Sequence, residues 1–363
     1  MRLGLVVYGS LDTVSGGFLY DRQLVRHLRS RGDEVEVISL PWRPYARGLL
    51  DNLSPALFKR LTRAAFELLL EDELAHPSLF RLNPGLRRRV SCPLVAIVHH
   101  LRCSEARPAW QNFLYRQVER QYLTSVDGFI CNSRTTRAEV EALAGTDRPA
   151  VVAPPGGDHI SGCLSREEVL SRAPAGNFRI IFVGNLIPRK GLHTLLTALA
   201  SLPDQDWSLT VVGSPEMNPL YVRDIHAQIT ALGLHGKVRL LGTVTGEELA
   251  GHLRQSQLLA VPSSYEGFGI VYLEARRFGL PVIAGDAGGV REIVTHGVDG
   301  FLVPPGEAAP LARCLSSLLR NRDLLAQMSL AALAAAACQP TWEAGAAAVR
   351  EFLLTMKAAK AGR

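Results

Sequence analysis

The feature that most constrains this fold is a module that recurs along the chain: a short apolar run, a glycine turn, then a helical pattern. Its clearest copy is Leu258 to Val261, followed by Pro262-Ser-Ser-Tyr-Glu-Gly-Phe-Gly269 and then Ile270, Val271, Leu273, Glu274 and Ala275. The apolar run reads as a buried strand. Gly267 and Gly269 permit backbone angles that other residues resist. A helix start offers unpaired N–H groups and the positive end of a dipole, a setting that suits phosphate. Glu266 lies in the turn before those donors. Glu274 lies just over one turn into the helix, where ribose hydroxyls could meet it. Alone, the stretch also fits a plain helix cap with two solvated glutamates.

The same module opens the chain. Leu3 to Tyr8 reads as a strand, Gly9 to Gly17 as a glycine loop, and Leu19, Leu24, Val25 and Leu28 as the apolar face of a helix. Glu34 to Leu40 is the next strand. This is a Rossmann-like opening. The loop is not Gly-x-Gly-x-x-Gly, so a nicotinamide cofactor is poorly supported. Further strands are expected at Ala65–Leu70, Leu94–Val98, Val126–Asn132 and Ala150–Ala153. The third ends in Glu71-Asp72-Glu73, with His76 close by, and the fourth in His99-His100, with Glu105 after it. Ligands of open α/β sheets gather outside the carboxyl ends of the strands. Asp72, Glu73, His100 and Glu105 could therefore bind sugar hydroxyls or, less readily, a metal. No compact ligand spacing supports a metal. Residues 41–65 read as irregular, with basic and apolar residues interleaved. They fit either a solvated helix or a peripheral membrane contact. No nucleic-acid module is present.

At 363 residues two domains are expected. Prolines and glycines from Pro154 to Gly157, with Pro174 and Gly176, place a linker within 154–177. The second half repeats the module. Ile180–Val183 leads into Gly184-Asn-Leu-Ile-Pro-Arg-Lys-Gly191, and Leu192, Leu195, Leu196 and Leu199 line the next helix. Trp207–Gly213, Val238–Leu241 and Pro281–Ala284 are further strands, and Gly297 to Pro304 reads as a hairpin-like turn. Arg189 and Lys190 at a helix start suit a diphosphate. From 308 on the tail is helical, broken at Pro340. No apolar run reads as a membrane span. The N-terminus lacks a signal peptide's cleavage region, so a cytoplasmic location is expected. Six scattered cysteines argue against a zinc site or a disulfide framework. Residues 1–150 carry 21 Lys/Arg against 16 Asp/Glu, and the rest 19 against 18. A small basic bias of this kind attracts acidic partners.

Four segments in order, Phe182–Gly191, Val238–Val244, Pro262–Ala275 and Gly285–Leu302, closely resemble the retaining glycosyltransferases of the GT-B fold, family 4. Ser15–Gly17, Ile97–His99, Asn132–Ser133 and Pro154–Asp158 resemble them more loosely. The resemblance implies two Rossmann-like domains facing each other across a cleft. Residues 1–172, with the helix 341–358 packing back on them, would bind the acceptor, and 173–340 the nucleotide sugar. Lys190 and Arg189 would hold the diphosphate. The backbone of Gly17 and of Gly267, Phe268, Gly269 and Ile270 would touch the phosphates. Val244 would contact the base, Glu274 the ribose and Glu266 a sugar hydroxyl. His99 would stand at the reacting centre, so that His99, Lys190 and Glu266 form the catalytic set. The family has Arg after the first glycine of the lysine motif, where this chain has Asn185.

The activity implied is hexosyl transfer from a UDP- or GDP-sugar to a hydroxyl acceptor. That acceptor would be a lipid, a polysaccharide or a small glycoside. Attack on the sugar's own face needs neither metal nor cofactor. An epimerase or phosphorylase on the same fold, or a non-catalytic nucleotide-sugar binder, are the alternatives. The acceptor could be lipid-linked, with the basic half resting on the inner membrane face.

Overall fold

The computed structural model describes residues 1–173, 176–202 and 206–361. The chain forms two units, Met1–Pro155 with Trp342–Arg363, and Gly156–Thr341. Each is built on a six-stranded, fully parallel sheet.

The first sheet contains β1 (Arg2–Tyr8), β2 (Glu34–Leu40), β3 (Leu68–Asp72), β4 (Leu94–Val98), β5 (Gly128–Cys131) and β6 (Ala150–Val152), in the order β2-β1-β3-β4-β5-β6. Strands β1, β3 and β4 are buried almost throughout because helices cover both faces of a parallel sheet. The second sheet contains β7 (Phe178–Val183), β8 (Trp207–Val212), β9 (Val238–Gly242), β10 (Leu258–Val261), β11 (Val282–Gly285) and β12 (Gly300–Val303), in the order β12-β11-β10-β7-β8-β9. In each sheet the strand order reverses once, between β1 and β3 and between β7 and β10. At such a reversal the loops leaving two adjacent strands diverge and open a crevice.

Five expectations need correction. The third strand runs Leu68–Asp72 rather than Ala65–Leu70, so Glu71 and Asp72 lie inside the sheet and not beyond it. A hydrogen bond from Asn83 Nδ2 to Glu71 Oε2, 2.9 Å, makes that burial tolerable. Residues 41–65 are largely helical: Tyr45–Gly48, a 3-10 turn at Leu49–Leu53, and Pro55–Arg63, capped by Ser54. The stretch read as a hairpin contains β12, which pairs in parallel with β11. The unit boundary falls at 155/156 rather than 172/173. Ile160, Leu164 and Val169 are buried in the second core, and the Arg172 guanidinium donates to the Gly279 carbonyl at 2.8 Å. Pro174, assigned to the linker, lies outside the described residues. Finally, an 18-residue window within the Ala-rich stretch Arg322–Lys360 does reach a mean hydropathy of 1.2, enough by length and composition to cross a membrane. The stretch is two helices, Arg322–Ala337 and Trp342–Ala361, broken at Pro340. Leu325, Met328 and Ala332 of the first are buried in the second unit, and Val349, Leu353 and Met356 of the other in the first.

The C-terminal helix is pinned to its unit by Arg350 Nε on Asp33 Oδ2 at 2.7 Å and by Glu343, which meets His27 at 3.1 Å and Arg31 at 2.6 Å. Packing of Met356 and Phe352 over Gly128 adds an apolar seam.

Candidate active site

The second unit builds its site at the reversal between β7 and β10. The loop after β7 turns through a 3-10 segment, Pro188–Lys190, and ends at Gly191, whose φ is 73°. A Cβ at Gly191 would stand 2.3 Å from the Pro262 carbonyl, so only glycine lets the two loops close on each other. Ser264 N donates to the Arg189 carbonyl at 2.8 Å and ties them further. That contact brings Lys190 and Glu266 together although they are far apart in sequence. Lys190 Nζ lies 2.6 Å from Glu266 Oε1, and Ser263 Oγ also donates to that oxygen at 2.6 Å. The Arg189 guanidinium stands 3.6 Å from Glu266 and donates to the Tyr265 carbonyl at 2.6 Å. Below this, Gly289 N donates to the Glu266 carbonyl at 2.8 Å, so the turn after β11 braces the turn after β10.

The electrostatics follow. Burial alone would push the Glu266 carboxyl up, but Lys190, Arg189 and Ser263 outweigh it and bring it down to about 2. Burial holds Lys190 below the usual lysine range, against the pull of Glu266. Glu266 answers the two cations from within the chain.

Gly269, at φ 101°, precedes the helix Ile270–Arg277 and its carbonyl accepts from Tyr272 N at 3.0 Å; the N–H groups at the very start of such a helix find no partner inside it. Gly267, Phe268 and Ile270 thus lie at a helix start, next to the ion pair in sequence. Glu274 is buried on this helix, and its Oε1 lies 3.1 Å from His159 Nε2. His159 was missed, although it directly follows the Pro154–Asp158 segment. Val244 follows β9 and is half-buried against the core. Its strand is three places from β10 in the sheet, with β7 and β8 between them. Gly184, which precedes Asn185, and Gly213, after β8, meet in backbone contact there.

The first unit builds its site at the reversal between β1 and β3. Ser15 caps the helix Gly16–Ser30 through its side chain. A Cβ on Gly17 would stand 3.1 Å from His99 Cδ2, so the loop after β1 lies directly on the histidine after β4. His99 is clamped at its backbone as well. Its N–H donates to Glu73 Oε2 at 3.1 Å, and its carbonyl accepts from Asn132 Nδ2 at 2.8 Å. Asp21 Oδ1 lies 3.4 Å from His99 Nε2. Among the described residues, Asp21, Asp72 and His99 are the group of three His, Cys, Asp or Glu side chains whose ligand atoms all lie within 4.8 Å of one another.

The acceptor candidates divide. Asp72 and Glu73 are buried beside His99, not offered to solvent. His100 Nε2 lies 3.0 Å from Glu105 Oε1, and Arg107 holds the other Glu105 oxygen at 2.6 Å. His76 is structural: its Nδ1 meets the Glu73 carbonyl at 2.7 Å, its Nε2 meets Tyr45 Oη at 3.0 Å, and burial lowers it to about 3.

Comparison with known proteins agrees with both halves. Residues 167–334 match the family described as Glycosyl transferases group 1, and 14–159 match Glycosyltransferase Family 4. The chain is 30% identical over 384 residues to the phosphatidyl-myo-inositol mannosyltransferase of Mycobacterium leprae, covering 98% of this chain and 97% of that protein. It is 34% identical to the D-inositol 3-phosphate glycosyltransferase of Nocardia farcinica over 60% of this chain, and there it spans about half, 51%, of the relative. In structure it superposes on the sucrose-phosphate synthase of Thermosynechococcus elongatus with a TM-score of 0.84 at 22% identity, covering 99% of each chain. It superposes on Anabaena HepE, solved with UDP and glucose, with a TM-score of 0.76 at 24% identity, covering 98% of this chain and 100% of that one. The matched halves, the near full-length relative and the paired parallel sheets together establish that this chain belongs to glycosyltransferase family 4 and has the GT-B fold.

Proposed function

We propose that the chain moves a sugar from a nucleotide-diphosphate sugar to a hydroxyl acceptor, with retention of configuration and without a metal. The observation that carries this reading is the Lys190–Glu266 pair at the second sheet's reversal, beside the helix start at Gly269. Breaking a sugar–phosphate bond builds negative charge on the diphosphate. A lysine and a helix N-terminus stabilise charge where it develops. Until the donor arrives, Lys190 is neutralised by Glu266. When the diphosphate takes Lys190, Glu266 keeps Ser263 and gains an open oxygen for a sugar hydroxyl. Glu274 meets the ribose, Val244 the base, and Gly17 and His99 the reacting centre. The departing phosphate then takes the acceptor's proton. HepE, a relative in fold, was solved with UDP and glucose, which supports a nucleotide-sugar donor.

The test is a thermal-shift screen of the full chain against UDP, GDP, ADP and their sugars, because a ligand of the native state raises its melting temperature. A rise with one nucleotide family, lost in Glu274→Ala together with donor turnover, supports the reading. No rise with any of them, or full turnover in Glu274→Ala, contradicts it.

One surface favours a lipid-linked acceptor, met at the inner membrane face. In the first unit Trp42, Leu50, Leu53, Trp110, Phe113 and Leu114 are all more than half exposed. Arg47, Lys59, Arg60 and Arg63 are exposed in the same 41–65 region. Tyr45 and Tyr115 stack edge to face at 4.7 Å and join the two segments. Exposed aromatics beside cations suit an anionic bilayer surface.

A further inference from the structure

The first sheet's reversal holds more buried acid than sugar recognition requires. Asp21 comes from the helix Gly16–Ser30, Asp72 from the end of β3 and His99 from the loop after β4. Both Asp21 oxygens, Asp72 Oδ2 and His99 Nε2 are sealed from solvent without a well-formed hydrogen bond to another heavy atom. Arg22, the neighbouring cation, spends its guanidinium on the Leu11 and Thr13 carbonyls. Two carboxylates at this range in a buried site do not both ionise. The pair therefore holds one proton between the two carboxyls, and its remaining negative charge faces the His99 ring.

We propose that Asp21 is a positioning residue for His99: the Asp21–Asp72 pair shares a proton and accepts the Nε2–H of His99, fixing the ring in one tautomer with Nδ1 as its acceptor. This rests on the reading that His99 stands at the reacting centre. The surroundings suit the role. Tyr20 packs edge-on to the imidazole at 5.2 Å, and its hydroxyl is anchored on the Ala153 carbonyl at 3.0 Å. With Glu73 and Asn132 on the backbone and Gly17 against the ring, His99 has little freedom except rotation of its ring, which Asp21 removes. The titratable groups facing the cluster are Glu73, Tyr20, Tyr122 and Arg22, with Glu119 behind Glu73. Burial pushes Asp21 up to about 7, against a hydrogen bond from Asp72 and the charge of Arg22. Burial also raises Asp72, Glu73 and Glu119, and lowers His99.

The test is histidine 15N NMR on the full chain, with His99 assigned by its loss in His99→Gln. The expected result is a single Nε2–H tautomer from about pH 6 to 8. Asp21→Asn should mix the tautomers and lower kcat for donor hydrolysis on the order of 100-fold, with the donor's KM little changed. Asp72→Asn should act in the same direction. An Nδ1–H tautomer in the unaltered chain would overturn the proposal. So would an unchanged His99 spectrum in folded Asp21→Asn, or a stoichiometric divalent cation in the purified protein. The spectrum does not depend on turnover. A chain without transferase activity that still shows the tautomer shift would sink the functional reading and leave this one standing.

Discussion

The two sheets reverse in the same way and fill their reversals with opposite electrostatics. In the second unit a carboxylate is charged and answered: Glu266 sits at 2.6 Å from Lys190 and is depressed to about 2. In the first unit Asp21 and Asp72 are buried beside His99 without a cation of their own, and burial raises Asp21 to about 7; Glu71, one residue before Asp72 and held by Asn83, is raised to about 7 as well. One crevice stores separated charge and the other stores protons. An ion pair at a crevice can be exchanged for a charged ligand, because each partner is already desolvated and oriented. A protonated acid cluster gains nothing from an anion. It sets the geometry of what stands beside it. The difference is what the proposed function draws on, with the donor in the second crevice and orientation of the reacting group in the first.

The largest expected effect breaks the charged side. Lys190→Ala should lower donor turnover by about 1000-fold. It should also cost about 3 kcal/mol of stability, since Glu266 is left buried and unpaired. The double variant Lys190→Met with Glu266→Gln should recover most of the melting temperature and none of the turnover. Recovery of both would mean that the pair is merely structural.

A second test sets the two crevices against each other through pH. Asp21 and Glu71 bind protons in the native state that the unfolded chain loses near the ordinary carboxyl range. Their contribution to stability is therefore present at low pH and is lost as pH rises through about 7. Glu266 has the opposite sign. Its contribution is present above the ordinary glutamate value of 4.5 and is lost as pH falls toward about 2. Melting curves across the acid-to-neutral range should show both limbs. Asp21→Asn should flatten the upper limb and Glu266→Gln the lower one; crossed or absent effects would erase the distinction. The smallest effect expected is that of Gly17→Ala. Its new methyl presses on His99 at 3.1 Å, so turnover should fall by about tenfold or less with the fold intact. Matched circular dichroism and kinetics would check it.

Much of this was legible in the chain. Strand, glycine turn and helix are local signals, and nearly every strand lies where its apolar run stands. The family resemblance implied Lys190 and Glu266 as parts of one donor site but not their direct ion pair, whose geometric reason is the close approach of the Gly191 loop to the Pro262 carbonyl. The failures share one cause. Sequence reading assigns acids to rims, yet Glu71 and Asp72 are strand residues held inside by Asn83 and by a shared proton. Asp21 was missed for the same reason. Phe18, Asp21, Val25 and Leu28 share one helix face, and that spacing marked Asp21 as a buried position in an otherwise apolar stripe. The 155/156 boundary was hidden because residues 156–172 look like a linker until Ile160, Leu164 and Val169 are seen in the second core.

Whether Lys190 leaves Glu266 for the donor's diphosphate is decided by calorimetric titration of UDP and GDP into the full chain and into Lys190→Met with Glu266→Gln. One nucleotide should bind measurably to the unaltered chain, and the double variant should lose about 100-fold in affinity. Equal affinity in the two proteins would contradict that exchange.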